Sequence, residues 1–166
     1  MAKRSDLLRV LKLGIVLLDH GTGECVTLTH RVIDTDGHVT YFAQPNGLDV
    51  DGAPVAPIHA CESRFDIRGS DAFEMVTLPI DVLGKVVTDK ASGFTGVCIR
   101  LIQHASGCVH VMIQPKGRTE KGRGIDPLDF DIRRCESVAI KPMSGDEFRQ
   151  DTKSKPSPSS GCKIGR

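Results

Sequence analysis

Apolar residues along this chain come in short runs that alternate with polar ones and stop at Gly, Asp, Asn and Pro, the pattern of strands and turns. The runs predict strands at 13–18, 24–33 and 38–44. A turn cluster at 19–23 and an Asp34-Thr35-Asp36-Gly37 hairpin turn separate them. Pro45-Asn46-Gly47 stops the third strand, a long loop runs to Pro57, and strand material returns near 65–67 and 74–78. The series then recurs: strands at 83–88, 94–103 and 108–114, a hairpin turn at 104–107, a long loop at 115–126, and short strands at 130–132 and 137–140. Alternation places Val39, Tyr41 and Ala43 on an inward face, with Val109, Val111 and Ile113 equivalent. Residues 5–12 read as one or two helical turns, with Ser5 as N-cap and Leu7, Leu8 and Leu11 on one face. Residues 143–149 read as a short helix capped by Ser144 and Glu147. The Lys, Ser, Pro and Gly residues after Asp151 cannot build a core.

The recurrence is an internal repeat. At a shift of 70, Leu13-Gly14 falls on Leu83-Gly84, Asp19 on Asp89, Gly23 on Gly93, Gly37 on Gly107, Gln44-Pro45-x-Gly47 on Gln114-Pro115-x-Gly117, and Pro57 on Pro127. The shift then reads as 65 for Phe65-Asp66-Ile67-Arg68 on Phe130-Asp131-Ile132-Arg133, and as 62 for Glu74-x-Val76 on Glu136-x-Val138. The fold expected is all-β: two tandem small antiparallel barrels, Src-homology-3-like or KOW-like, at 11–78 and 81–140, with a short N-terminal helix and an extended C-terminal segment at 141–166. A small split sheet is the competing geometry. Separate barrels require 13–44 to superpose on 83–114. A single sheet running through both segments would overturn the duplicated fold.

Composition narrows the function. A net charge of +1 over 166 residues argues against an electrostatic nucleic-acid binder, and six Phe, one Tyr and no Trp argue against a base-stacking surface. No secretory leader and no apolar run of membrane-spanning length is read, so the six cysteines are expected as reduced thiols in a cytoplasm. Cys25 and Cys98 are expected as small buried hydrophobes. Cys98 is expected opposite Ile113 and so beyond disulfide reach of Cys108.

The sharpest local feature is the loop 115–124, which carries Lys116, Arg118, Lys121 and Arg123 among three glycines, where the first copy has Asp49 and Asp51. It reads as a site for a phosphate or an acidic partner, or as a solvated loop. No Walker pattern is present. His104-x-x-x-Cys108-x-His110 brings two metal-ligand types to one strand face, but no second pair stands at a zinc-site spacing, and neither metal nor cofactor is expected. Asp66 and Asp131 read as structural acids that bond turn amides or pair with Arg68 or Arg133, and no catalytic constellation emerges. Phe42 and Met112 fall on the outward face of the third strands, with Ile102 and Cys98 on matching parity. This stripe is expected to make a contact between copies or subunits, or to lie under the N-terminal helix or the tail.

The second copy, through Leu83-Gly84-x-Val86, Asp89-x-x-x-Gly93-Phe94-x-Gly96, Gly107-Cys108, Gln114-Pro115 and Phe130-Asp131-x-x-Arg134, resembles small bacteriophage-encoded β-barrel proteins. The resemblance implies a viral origin and residence in the host cytoplasm or the virion, and it supplies no activity. The function expected is non-enzymatic: contacts with other viral or host proteins or with further copies of the chain, as a capsid, neck or tail accessory component. Two alternatives stand beside it, a binder of a phosphorylated or cyclic nucleotide signal and a KOW-like nucleic-acid module.

Overall fold

The computed structural model describes residues 7–137. Among these, the chain is mostly β, with antiparallel strands, four single 3-10 turns and no α-helix. The first copy contributes β2 (Val16–Asp19), β3 (Cys25–Asp34), β4 (Val39–Pro45), β5 (Ile58–Cys61), a 3-10 turn (Glu62–Arg64) and β6 (Phe65–Asp66). The second contributes β8 (Val86–Asp89), β9 (Thr95–His104), β10 (Val109–Gln114), β11 (Leu128–Asp131), a 3-10 turn (Ile132–Arg134) and β12 (Cys135–Ser137). Two further strands, β1 (Leu7–Leu11) and β7 (Phe73–Thr77), pair antiparallel as a separate ribbon. The helix expected at 143–149, its Ser144 cap and the tail lie outside the described residues.

The 70-residue shift holds without a break from the first strand of each copy to the last. Strand order is β6-β2-β3-β4-β5 in one copy and β12-β8-β9-β10-β11 in the other. The long loops match bond for bond. Leu48 bridges Pro54 as Arg118 bridges Gly124. Gln44 Nε2 donates to the Val55 carbonyl at 2.5 Å as Gln114 Nε2 donates to that of Ile125 at 2.7 Å. The expected drops to shifts of 65 and 62 are therefore wrong. Phe65 lies buried in β6 and corresponds to Cys135, whereas Phe130 lies in β11. Glu74 belongs to the ribbon and has no relation to Glu136. Short matching words misled because local identity carries no information about which strand a segment pairs with.

The expected pair of separate barrels is also corrected. Residues His30–Asp34 of β3 pair antiparallel with Arg100–His104 of β9, so one ten-stranded sheet runs through both copies, and the described residues form no closed barrel. By the criterion set from the sequence, the tandem-barrel reading fails. What the copies share is strand order and turn chemistry. The pairing is centred on Val32 opposite Ile102, residues 70 apart, and His30–His104 on one side of that centre answers Asp34–Arg100 on the other. The copies thus meet as the subunits of an isologous dimer do, each giving the same stretch of strand. A β-strand edge with unpaired amides is covered in each copy by the other.

The N-terminal helix is corrected to strand β1. A five-residue Leu-Leu-Arg-Val-Leu segment is too short to hold a helix alone, and pairing with β7 satisfies its backbone instead. Val10 and Leu11 are buried, and the Leu11 amide donates to the Tyr41 hydroxyl at 3.0 Å. The ribbon spans two cores. Leu11 and Phe73 join Leu17, Val26, Leu28, Tyr41, Ala43 and Phe65, while Leu8 and Val76 join Ile33, Val87, Cys98, Leu101, Val111 and Ile113. The expected inward face of the third strands is observed: Tyr41, Ala43, Val111 and Ile113 are buried, and Val39 and Val109 pack against the cores.

Candidate functional site

Each copy carries the same buried acid. Asp19 accepts from the Thr22 amide (2.9 Å) and hydroxyl (2.8 Å) and from Arg64 Nε (2.6 Å) and Nη2 (3.0 Å). Asp89 accepts from the Ser92 amide (2.9 Å) and hydroxyl (2.5 Å) and from Arg134 Nε (3.0 Å) and Nη2 (2.8 Å). The arginine comes from the 3-10 turn, so the clamp ties the first turn of a copy to its last strand. These bonds hold both carboxyls far down in the acid range, Asp19 chiefly through Arg64, and Asp89, at about 2, chiefly through Ser92. All their acceptor capacity is spent on the fold, and the clamp is structural. Asp66 and Asp131, singled out from the sequence, pair with Arg68 (2.7 Å) and Arg133 as expected, on the surface. The repeated Asp-x-x-(Thr/Ser)-Gly word was the better signal.

The outward face of the sheet is different in kind. Five rings form a row, one from each of five adjacent strands: His110 (β10), His104 (β9), His30 (β3), Phe42 (β4) and His59 (β5). Successive ring centroids are 4.7, 4.2, 5.9 and 4.5 Å apart, and Phe42 stacks on His59 at 10°. Register builds the row, since His30 lies opposite both His104 and Phe42, and Phe42 opposite His59. The ends are pinned by Asp129 on His110 Nδ1 (2.9 Å) and Thr40 on His59 Nε2 (2.7 Å), and Thr29 Oγ1 lies 2.8 Å from His30 Nδ1. Burial pushes the His30 and His104 imidazoles below their ordinary range, and the neighbouring histidines add to it. His104 Nε2 is buried with no hydrogen-bond partner among the described residues.

Beside this row a groove of about 340 Å³ opens at the seam of the two copies. It is lined by Thr29, His30, Phe42, Gln44 and Pro57 from one copy and by Ile102, His104 and Asp129 from the other. Its walls are mainly apolar. The two-fold relation is broken here. The places of His30 and His104 on the other side of the axis are held by Arg100 and Asp34, joined at 2.6 Å, and the place of Phe42 by Met112. The row of rings therefore exists on one side only.

Of the expected stripe, Phe42 and Ile102 meet in this groove. Met112 shares the outward face, opposite Asp129, but does not line it. The outward placement of Cys98 is corrected, while its expected burial is observed. A β-bulge at Ile99 sets Met112 against Arg100 and Ile113 against Cys98, which reverses the parity of β9, as the bulge at Thr29 does in β3. The expected placement of Cys98 opposite Ile113 is observed, and both Cys98 and Cys108 are free thiols. Cys25 is corrected from buried to exposed. The N-terminal segment does not cover the stripe, because the ribbon lies against the cores on the inner face. Lys116, Arg118, Lys121 and Arg123 are all exposed, and none of them lines the groove. Among the described residues no group of three or more His, Cys, Asp or Glu side chains is arranged to hold a metal ion, His104, Cys108 and His110 included. The row of rings is not legible in the sequence, because four of its five members are histidines scattered over four strands and only the cross-copy register aligns them.

No protein-family model, no curated protein and no solved structure matches this chain.

Proposed function

We propose that this is a non-enzymatic protein that works through protein–protein contacts, with the seam groove as its receiving surface. One observation carries the reading: the apolar groove is assembled from both copies beside a row of stacked rings and is broken out of the two-fold relation that governs the rest of the sheet. Its volume lies at the small end of the range for ligand pockets, about 300–1,000 Å³, and suits one or two apolar side chains of a partner. Aromatic and apolar anchors in such pockets dominate protein interfaces. No cation lines it, which disfavours a nucleic-acid backbone. We read each copy, a five-stranded order closed by a 3-10 turn before the last strand, as an opened Src-homology-3-like module. A capsid, neck or tail accessory role in a bacteriophage is the concrete form suggested by the sequence resemblance.

The exposed basic loop favours a second reading, capture of a phosphorylated or cyclic nucleotide. Photo-crosslinking separates the two. A probe placed at Met112, beside the groove, identifies the partner, and that purified partner is then titrated against wild type and Phe42→Asp. Loss of binding in the variant supports the groove. Equal binding by both proteins, or tight binding of a fluorescent nucleotide with no protein partner captured, rejects it.

A further inference from the structure

We propose that this chain assembles head to tail, the basic loop of one molecule docking on the acidic loop of the next. The two loops are the same structure with opposite charge. In one, the Asp49 amide bonds the Ala53 carbonyl at 2.8 Å and the Gly52 amide bonds the Asp49 carbonyl at 3.1 Å. In the other, Thr119 and Arg123, and Gly122 and Thr119, repeat both bonds at 2.7 Å. Residues 46–54 carry Asp49 and Asp51 and no cation; residues 116–124 carry four cations and Glu120.

The register places the loops at opposite ends of the molecule. The acidic loop leaves β4 where Pro45 faces Val26, and the basic loop leaves β10 where Gln114 faces Val97. Because β3 and β9 run antiparallel with Asp34 opposite Arg100, Val26 and Val97 are separated by eleven residue steps along the sheet. That is about 35 Å of strand. Where each end takes a different neighbour, complementary ends this far apart build a ring or a filament; only an antiparallel pair that closed both unlike contacts at once would be a two-fold dimer.

The acidic loop also presents apolar surface that nothing in the described chain covers. Leu48 is 67% exposed and Val50 fully exposed, on either side of Asp49. One Asp49 oxygen is held by the Asp51 and Ala53 amides (2.9 and 2.8 Å), which fixes the loop that displays them. The aliphatic stems of Lys116, Lys121 and Arg123 provide the matching cover, since long cationic side chains bury their methylenes while their heads pair. The residues that carry the contact, 48–51, do not line the seam groove.

Sedimentation velocity on the full chain tests this at about 0.01 M and about 1 M salt, where the screening length falls from about 30 Å to about 3 Å. Wild type is expected to gain mass with concentration at low salt and to return to a single chain at high salt. Lys116→Glu/Arg118→Glu/Lys121→Glu/Arg123→Glu and Asp49→Lys/Asp51→Lys are each expected to stay monomeric alone. Mixed in equal amounts they are expected to associate, because one now carries two acidic loops and the other two basic ones. Circular dichroism confirms that both fold. A wild type that stays monomeric at low salt overturns the proposal, as do variants that assemble as wild type does or a mixture of folded variants that stays apart. Nucleotide binding by a wild type that never self-associates also overturns it and assigns the loop to an anionic ligand.

Discussion

Arg31 and Leu101 hold the same place in the two copies, and both are almost wholly buried. Leu101 packs into the second core; Arg31 instead reaches Glu74 on the ribbon, and its Nε and Nη1 find no partner among the described residues. The guanidinium lies on the inner face opposite Gln103, whose side-chain oxygen is also buried and without a partner among the described residues. Removing one member of such a pair leaves the other charge stranded. Glu74→Ala is expected to cost about 3 kcal/mol, the low end for a buried pair because Glu74 is partly open to water. Arg31→Leu with Glu74→Leu, which restores the second copy's solution, is expected to be neutral or stabilising. Urea unfolding of the two variants checks both, and a double variant less stable than Glu74→Ala would show that the ion pair holds the ribbon in place.

Gly96 is required by a close approach. A Cβ there would stand 2.2 Å from the Gln114 carbonyl oxygen, which belongs to the backbone and cannot swing aside. Gly96→Ala is expected to force β9 and β10 apart at a cost of about 1–3 kcal/mol, the range for overpacking. Gly124→Ala, where nothing lies within 4 Å of the added carbon and φ is not positive, is expected to change stability little. A thermal melt of both variants is sufficient; equal melting temperatures would mean that the strands yield at Gln114.

Periodicity located β3, β4, β9 and β10 to within a residue or two, because each alternates over a half-buried surface and is bounded by a turn glycine. The same reasoning made β1 a helix, since Leu7, Leu8 and Leu11 satisfy both periods and only the distant β7 decides between them. Strand β5 was hidden behind Pro57 because four alternating residues are too few to stand out, and it forms because β4 offers an open edge. The bulges at Thr29 and Ile99 left no mark in the pattern, so outward and inward were exchanged for Cys98. For the site, Phe42 and Ile102 were legible as outward apolar residues. Their meeting was not, because it depends on β3 pairing with β9, a contact between copies that no local pattern encodes.

Acid should loosen the clamps. Asp19 and Asp89 have folded-state pKa values below the unfolded carboxylate value of about 3.9, the latter at about 2. A depressed folded value means that the unfolded chain binds the proton more readily, so the stability is complete above pH 4 or so and is lost as pH falls toward 2. Asp89→Asn is expected to lower stability at neutral pH and to flatten its dependence on pH over that window. Denaturant midpoints from pH 6 to pH 2 or so read this directly. A slope unchanged from wild type would move the acid sensitivity to other carboxylates, among them Asp131, which Arg133 also holds well below the usual carboxylate range.

The row of rings should give a second, milder dependence nearer neutrality. His30 and His104 face each other at 4.2 Å, with His110 from β10 and Asp129 from β11 completing the charged surroundings and Phe42 closing the other side. Burial lowers both imidazoles, and each proton added would be set against the next ring; only Asp129 acts the other way on His104. With folded values below the unfolded value of about 6.5, the unfolded chain again binds protons more readily. Stability is therefore full above that pH and declines as pH drops through it to the folded values, levelling off below them. His30→Gln with His104→Gln is expected to remove most of the decline between about pH 7 and pH 5. His20→Gln, at an exposed turn, is expected to leave it in place. Titration of the imidazole proton resonances alongside denaturant midpoints checks the assignment. A double variant that keeps the wild-type decline would place the sensitivity outside the seam.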